Sequence, residues 1–67
     1  MTTPLDQMVP ADVGERLRIA REGAGITQAD AAASIDVART TLVAIEQGQR
    51  RVRMNEVQQL SRLYRTS

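Results

Sequence analysis

The sequence predicts an all-α protein, a small bundle of four short helices, with a fifth helix as the alternative. Apolar residues recur every three or four positions along most of the 67-residue chain, which is the spacing of one helix face. Glycine stands where two of these runs stop, at Gly23 and Gly48, and no stretch alternates apolar and polar residues as a strand does. A chain of this length forms one domain, and its core must be aliphatic because Tyr64 is the single aromatic residue and cysteine is absent.

The first eleven residues differ from the rest of the chain. Residues 1–11 contain two prolines and no sustained periodicity, so they are predicted to be a flexible arm, whereas residues 12–67 are predicted to fold. The first helix is predicted to begin at Asp12, which would accept hydrogen bonds from first-turn amides while Glu15 reaches back to it. The buried face of this helix is predicted from its spacing to consist of Val13, Leu17, Ala20 and Ala24.

The second and third helices are separated by only three residues. The second helix is predicted over residues 28–35, an alanine-rich run that follows Thr27 as its N-cap. A sharp turn is expected at Asp36, because aspartate tolerates the left-handed conformation better than most residues. The third helix is predicted over residues 39–47, and Gly48 ends it.

A fourth helix is predicted after the basic loop of residues 49–53. We expect it to pack across the first and third helices, with Leu42 and Ile45 of the third helix facing the core. The apolar positions of the fourth helix are Met54, Val57, Leu60 or Ser61, and Tyr64.

The charge of the chain is polarised along its length. The net charge is +1, but residues 1–36 hold three arginines and six acidic residues, and residues 37–67 hold six arginines and two glutamates. These counts give −3 and +4, so the basic half suits a polyanionic partner. A solvated surface of mixed charge is the simpler interpretation of the same pattern.

Several function classes are excluded by what the sequence lacks. No apolar run approaches the roughly 18 residues that span a bilayer, and the N-terminus has no signal pattern, so we expect a cytoplasmic protein without a membrane partner. Histidine and cysteine are absent, there is no glycine-rich phosphate loop, and no carboxylate pair is convincingly placed on one helix face. We therefore expect neither an enzyme nor a metal site or cofactor.

Two short helices joined by three residues predict a helix-turn-helix, whose second helix enters the major groove, although an ordinary α-helical hairpin has the same spacing. The motifs ITQAD at 26–30, ARTTL at 38–42 and IEQGQRR at 45–51 are more specific. Together they resemble the Cro/repressor-like helix-turn-helix DNA-binding family, the xenobiotic-response-element or lambda-repressor-like type, over residues 12–67. The resemblance implies a transcriptional regulator, chiefly a repressor, that is bacterial or phage-encoded, lies at the nucleoid and binds a double-stranded DNA operator.

The resemblance also implies which residues read the bases. Arg39 and Thr40, at the start of the third helix, match the base-reading positions, and the secondary candidates are Thr41, Val43 and Ala44. An arginine can donate two hydrogen bonds to O6 and N7 of guanine, and a threonine methyl can touch thymine. A phosphate contact is the alternative for Arg39.

A second set of residues matches positions that hold the DNA backbone or the fold in that family. The expected phosphate contacts are Thr27, Gln28, Gln47, Arg50, Arg51 and Arg53. Gln28 matches the glutamine that grips a phosphate and braces the recognition helix in that family, and a solvated first-turn residue is the alternative for it. For the three arginines a solvated basic loop is the alternative. Arg21 and Glu46 match a structural ion pair between the first helix and the end of the third.

The chain departs from the family pattern at Asp36, where glycine is usual, at Ala38, where serine caps the third helix, and at Ala31, where a large apolar residue is common. The start of the third helix is therefore expected to be poorly capped. The alternative function is a protein-interaction or antitoxin-like module that keeps the fold without reading bases, as Ile19 and Leu63 suggest. The family also implies a homodimer, or an effector or dimerisation domain after residue 67 in a longer chain.

Overall fold

The computed structural model describes residues 10–65, and side chains from residue 12 onward. This part of the chain is all-α, as predicted, and contains four helices: α1 (Pro10–Gly23), α2 (Gln28–Ser34), α3 (Arg39–Glu46) and α4 (Met54–Arg65). None of these helices is both long and apolar enough to cross a membrane. The predicted N-terminal arm lies, up to residue 9, outside the described residues.

Helix α1 begins two residues earlier than predicted, so the assignment of Asp12 as its N-cap was wrong. Pro10 occupies the first helical position, where its missing N–H costs nothing because the first amides of a helix have no partner in the helix. Asp12 lies inside the first turn instead, where its charge stabilises the positive end of the helix dipole.

The buried face of α1 follows a spacing of four residues. Val13 and Leu17 are buried, as predicted, but the next buried side chain is that of Arg21, and Ala20 is exposed. The prediction for Ala20 was wrong, because helical spacing allows either position 20 or position 21 to follow Leu17 on the buried face and the more hydrophobic residue was chosen. Arg21 is the buried residue instead, and its partner, Glu46, is also buried.

The helix-turn-helix segment agrees closely with its prediction. Thr27 caps α2, because its Oγ1 accepts a hydrogen bond of 3.1 Å from the Asp30 amide. Asp36 has a φ of 58°. Two backbone hydrogen bonds to carbonyls of α2 close this turn: Asp36 N donates to Ala33 O, and Val37 N donates to Ala32 O. Aspartate therefore takes the left-handed position at which glycine is the ordinary choice.

The start of α3 lacks a side-chain cap, as expected. Ala38 precedes the helix in an extended conformation and its methyl group cannot accept a hydrogen bond. The helix ends one residue before the predicted boundary, with Gln47 as its C-cap. Gly48 then adopts a positive φ of 76°, while the Gln49 amide bonds back to Ala44 O.

The core lies between all four helices and consists of small and aliphatic side chains around Tyr64. Its three largest fully enclosed side chains are Leu42, Ile45 and Leu60. Helix α4 packs mainly against α1 and α2, and not across α1 and α3 as expected. The enclosed side chains on α2 are only Ala31 and Ala32, and such a flat surface lets another helix approach closely.

Helix α1 and the end of α3 approach each other at Gly14. A Cβ atom built there would overlap the carbonyl oxygen of Ile45 and would lie 2.7 Å from that of Glu46. The two backbones are therefore in direct contact, and only glycine allows it. This contact locates the C-terminal end of α3 relative to α1.

Candidate nucleic-acid interface

Helix α3 has one buried face and one accessible face. Leu42, Ile45 and Glu46 are buried against the core. Of the five residues expected to read bases, Arg39 and Thr40 are exposed, whereas Thr41, Val43 and Ala44 are half-buried. The side chains that extend furthest into solvent are therefore those of the first turn.

A buried ion pair joins α1 to the end of α3. Arg21 Nε donates to Glu46 Oε2 at 2.7 Å and Arg21 Nη2 donates to Glu46 Oε1 at 3.3 Å, with the two side chains only 10% and 2% exposed. Arg21 Nη1 also donates to the carbonyl of Ile26 at 2.9 Å, which ties in the loop before α2. The hydrogen bond to Glu46 raises the pKa of Arg21 above its ordinary value although burial opposes this, so the guanidinium stays charged.

Gln28 extends this ion pair to the exposed end of α3. Its Nε2 donates to Glu46 Oε1 at 3.1 Å, and its Oε1 accepts from Arg39 Nη2 at 3.2 Å. The first expected base-reading residue is thereby connected through two hydrogen bonds to a carboxylate in the core. Gln28 keeps a second amide hydrogen that these bonds do not use.

The loop after α3 is organised by Glu56, which the sequence reasoning did not select. This buried carboxylate accepts two hydrogen bonds from Arg50, at 3.1 and 3.3 Å, and a third of 3.0 Å from the Arg53 amide. Burial by itself would raise the pKa of Glu56, but these hydrogen bonds outweigh it and lower the pKa below its ordinary value of 4.5. The sequence pattern that could have identified Glu56 is an acidic residue in the first turn of α4, three residues after Arg53, where its carboxylate can accept from the Arg53 amide.

The other expected phosphate-contacting residues lie at helix ends or in this loop. Thr27 precedes α2 and is exposed, Gln47 follows α3 and is exposed, and the side chains of Arg51 and Arg53 are also exposed. Arg50 differs from its two neighbouring arginines because Glu56 neutralises it and its side chain is only 32% exposed.

Tyr64 is a further polar residue close to the buried ion pair. Its hydroxyl is enclosed and has no hydrogen-bond partner within residues 10–65. Burial first, and the nearby Glu46 charge second, raise the pKa of Tyr64 to about 12. In the part of the chain that the structure describes, no group of three or more acidic residues could hold a metal ion.

Comparison with known proteins agrees with this geometry. Residues 12–67 match the family model described as a helix-turn-helix domain, which is most of the chain. The chain has no significant match among curated proteins or among solved structures. The resemblance drawn from the three motifs is confirmed by the family match. With two helices joined by a left-handed Asp36 turn and the family match spanning both, the chain belongs to the helix-turn-helix domain family of DNA-binding domains.

Proposed function

We propose that this protein binds duplex DNA in a sequence-specific manner and regulates transcription as a repressor, without catalytic activity. The observation that carries the proposal is the exposed first turn of α3, whose Arg39 is connected to the core by hydrogen bonds while Leu42 and Ile45 anchor the opposite face. A major groove about 12 Å wide admits such a helix. The operator would then be occupied by α3, which excludes other proteins from the same groove.

Base reading is assigned chiefly to the two exposed residues of that turn. Arg39 donates to O6 and N7 of guanine, and Thr40 offers a methyl group to thymine and a hydroxyl to either base class. Thr41, Val43 and Ala44 are half-buried, which supports a smaller role at the edge of the contact. We therefore propose a short direct readout centred on Arg39.

Phosphate binding is assigned to the exposed groups that flank α3. Arg51 and Arg53 form no ion pair with an acidic side chain within residues 10–65. Gln47, Thr27 and the unused amide hydrogen of Gln28 supply neutral donors. Arg50 contributes less to phosphate attraction, since it shares its charge with Glu56. Its main effect is to hold the loop that presents Arg51.

Selection of bound duplexes from a random library tests the proposal. The wild-type chain is expected to enrich one motif, and a motif with paired half-sites about one helical turn apart would indicate the homodimer. Affinity for the motif should fall steeply between about 50 and 200 mM salt. Absence of any enrichment at the lowest salt would refute sequence-specific binding.

Single substitutions separate base reading from phosphate attraction. Arg39→Ala is expected to reduce the preference for the selected motif over random duplex by about tenfold. Arg51→Ala is expected to weaken both duplexes alike and to reduce the salt slope by about one. Arg16→Ala, at an exposed position of α1, is the matched control and should change neither quantity. An equal loss on both duplexes from Arg39→Ala would contradict its base-reading role.

A protein-interaction module is the second candidate function, and one observation favours it. Ile19 on α1 is 55% exposed, the larger exposed fraction of the two large apolar side chains, Ile19 and Met54, that are exposed within the described residues. Leu63 supports this candidate less than its sequence position suggested, because it is only partly exposed and packs against the core. The test is to compare Ile19→Ser with the wild-type chain. If the substitution leaves DNA binding unchanged but abolishes a complex with a partner protein that sedimentation detects for the wild type, Ile19 has an additional role in protein interaction.

A further inference from the structure

We propose that Glu56 determines how strongly this protein prefers its operator to other DNA, and that it acts from a buried position on α4. It withholds the charge of Arg50 from phosphates, and it holds in place the loop that carries Arg51. The inference rests on the proposed function and concerns the specificity of the same surface.

The loop between α3 and α4 is fixed by hydrogen bonds on both sides of Arg51. On one side the Arg50 amide donates to Ala44 O of α3 at 3.3 Å. On the other side the Arg53 amide donates to Glu56 Oε1 at 3.0 Å. The side chain of Arg51 is exposed, but its backbone is thus held relative to both helices. A phosphate contact made through Arg51 is therefore preorganised.

The carboxylate of Glu56 also neutralises one of the three arginines of this loop. Arg50 donates to both of its oxygens, at 3.1 and 3.3 Å, and the side chains of Arg50 and Glu56 are 32% and 8% exposed. Burial raises the pKa of Glu56, but the hydrogen bonds from Arg50 and from the Arg53 amide outweigh it, so the carboxylate is ionised at neutral pH. Arg51 and Arg53 form no ion pair within residues 10–65.

Releasing the charge of Arg50 would strengthen binding to random duplex more than binding to the operator. Every duplex presents phosphates, so attraction to them does not depend on sequence. On random duplex the protein can adopt any orientation that brings the released charge close to a phosphate. On the operator the base contacts of Arg39 fix one orientation, in which a loosened loop also weakens the preorganised contact of Arg51.

The test begins with Glu56→Gln, which keeps the size of the side chain and one acceptor oxygen but removes the charge. The affinity for random duplex is expected to rise by about fivefold at 100 mM salt, with a salt slope steeper by about 0.9. The affinity for the selected motif should rise by about twofold at most, so that the preference for the motif falls by about threefold.

A double variant separates the released charge from the altered loop. Arg50→Gln combined with Glu56→Gln has the same net charge as the wild type, yet it still lacks the ion pair that holds the loop. Its affinity for random duplex and its salt slope should return to the wild-type values, because no charge has been released.

Glu15→Gln is the matched control for the change in net charge. Glu15 is an exposed acid of α1 that is paired with Arg18 at 3.3 Å, and Arg18 keeps a second partner, Glu22, at 2.8 Å. The same chemical change there releases no arginine, so the salt slope and the preference for the motif should not change.

The readout is fluorescence anisotropy with the selected motif and with random duplex between 50 and 200 mM salt. It is measured at about 15 °C, where small domains are near their maximum stability, after circular dichroism has verified that each variant is folded. If Glu56→Gln is unfolded at that temperature, the whole set is compared in the Tyr64→Phe background, which removes an unpartnered buried hydroxyl.

Four results would overturn the inference. They are no gain on random duplex from Glu56→Gln, a gain that persists in the double variant, an equal gain on the motif and on random duplex, or an equal gain from Glu15→Gln. Failure of the proposed function would differ from all of these, since it would appear as no enriched motif with the wild-type chain.

Discussion

Substitution of Gly14 by alanine should test the backbone contact between α1 and α3 directly. The added Cβ would overlap the Ile45 carbonyl oxygen and lie 2.7 and 2.9 Å from the carbonyl oxygen and carbon of Glu46, where ordinary contact begins at 3.4 Å. All three atoms belong to the backbone, so no side-chain rotation relieves the overlap. Helix α1 must move away from α3 by at least several tenths of an ångström.

The expected cost follows from two opposing effects. Overpacking of this kind destabilises by about 3 kcal/mol, while the higher helix propensity of alanine recovers about 1 kcal/mol. The net loss of about 2 kcal/mol is a large part of the stability of so small a domain, and corresponds to a fall in Tm of about 8–16 °C. Thermal unfolding followed by circular dichroism measures it.

Gly23→Ala is the matched control for this prediction. A Cβ at Gly23 has nothing within 4 Å, so the same chemical change at the end of the same helix tests propensity without overlap. It should leave the Tm unchanged or raise it slightly. If Gly14→Ala were as stable as Gly23→Ala, the conclusion that the backbones of α1 and α3 are in direct contact at Gly14 would be refuted.

Two further predictions concern buried polar groups. Tyr64→Phe removes a buried hydroxyl without a partner in the described residues, so it should raise the free energy of unfolding by up to about 1 kcal/mol in urea titrations at pH 7. Because burial raises the pKa of Tyr64 to about 12, the wild-type chain should lose stability as the pH rises from about 10 to 12, and Tyr64→Phe should lose less; parallel losses would contradict this. Glu56→Gln should cost about 1 kcal/mol at pH 7, since Arg50 loses its charged acceptor. The lowered pKa of Glu56 means that wild-type stability falls as the pH drops below 4.5, and an equally steep fall in Glu56→Gln would show that another group is responsible.

The central part of the fold was predictable because its signals are local. The cap at Thr27, the turn at Asp36 and the uncapped start at Ala38 each depend on residues within a few positions, and the structure agrees with all three. The start of α1 was not predictable in the same way, since Pro10 and Asp12 are both acceptable first-turn residues.

In the candidate site, too, features that depend on neighbouring residues were predictable and contacts between separate elements were not. The exposed positions of Arg39 and Thr40 follow from their place at the start of α3, before its first buried residue, Leu42. The ion pair between Arg50 and Glu56 joins a loop to a helix. Only the folded structure shows that it reduces the positive charge available for phosphates.

By itself, the sequence determined that two short helices flank a left-handed turn, and that positive charge collects in the second half of the chain. The turn depends on the backbone preference of Asp36, and the charge distribution follows from counting arginine and acidic residues along the sequence. Only the tertiary structure decided that α4 packs on α1 and α2, that Gly14 lies against the end of α3, and that Gln28 connects Glu46 to Arg39. Such contacts join residues distant in sequence, and the free energy of each depends on the geometry of the folded chain, which no local pattern contains.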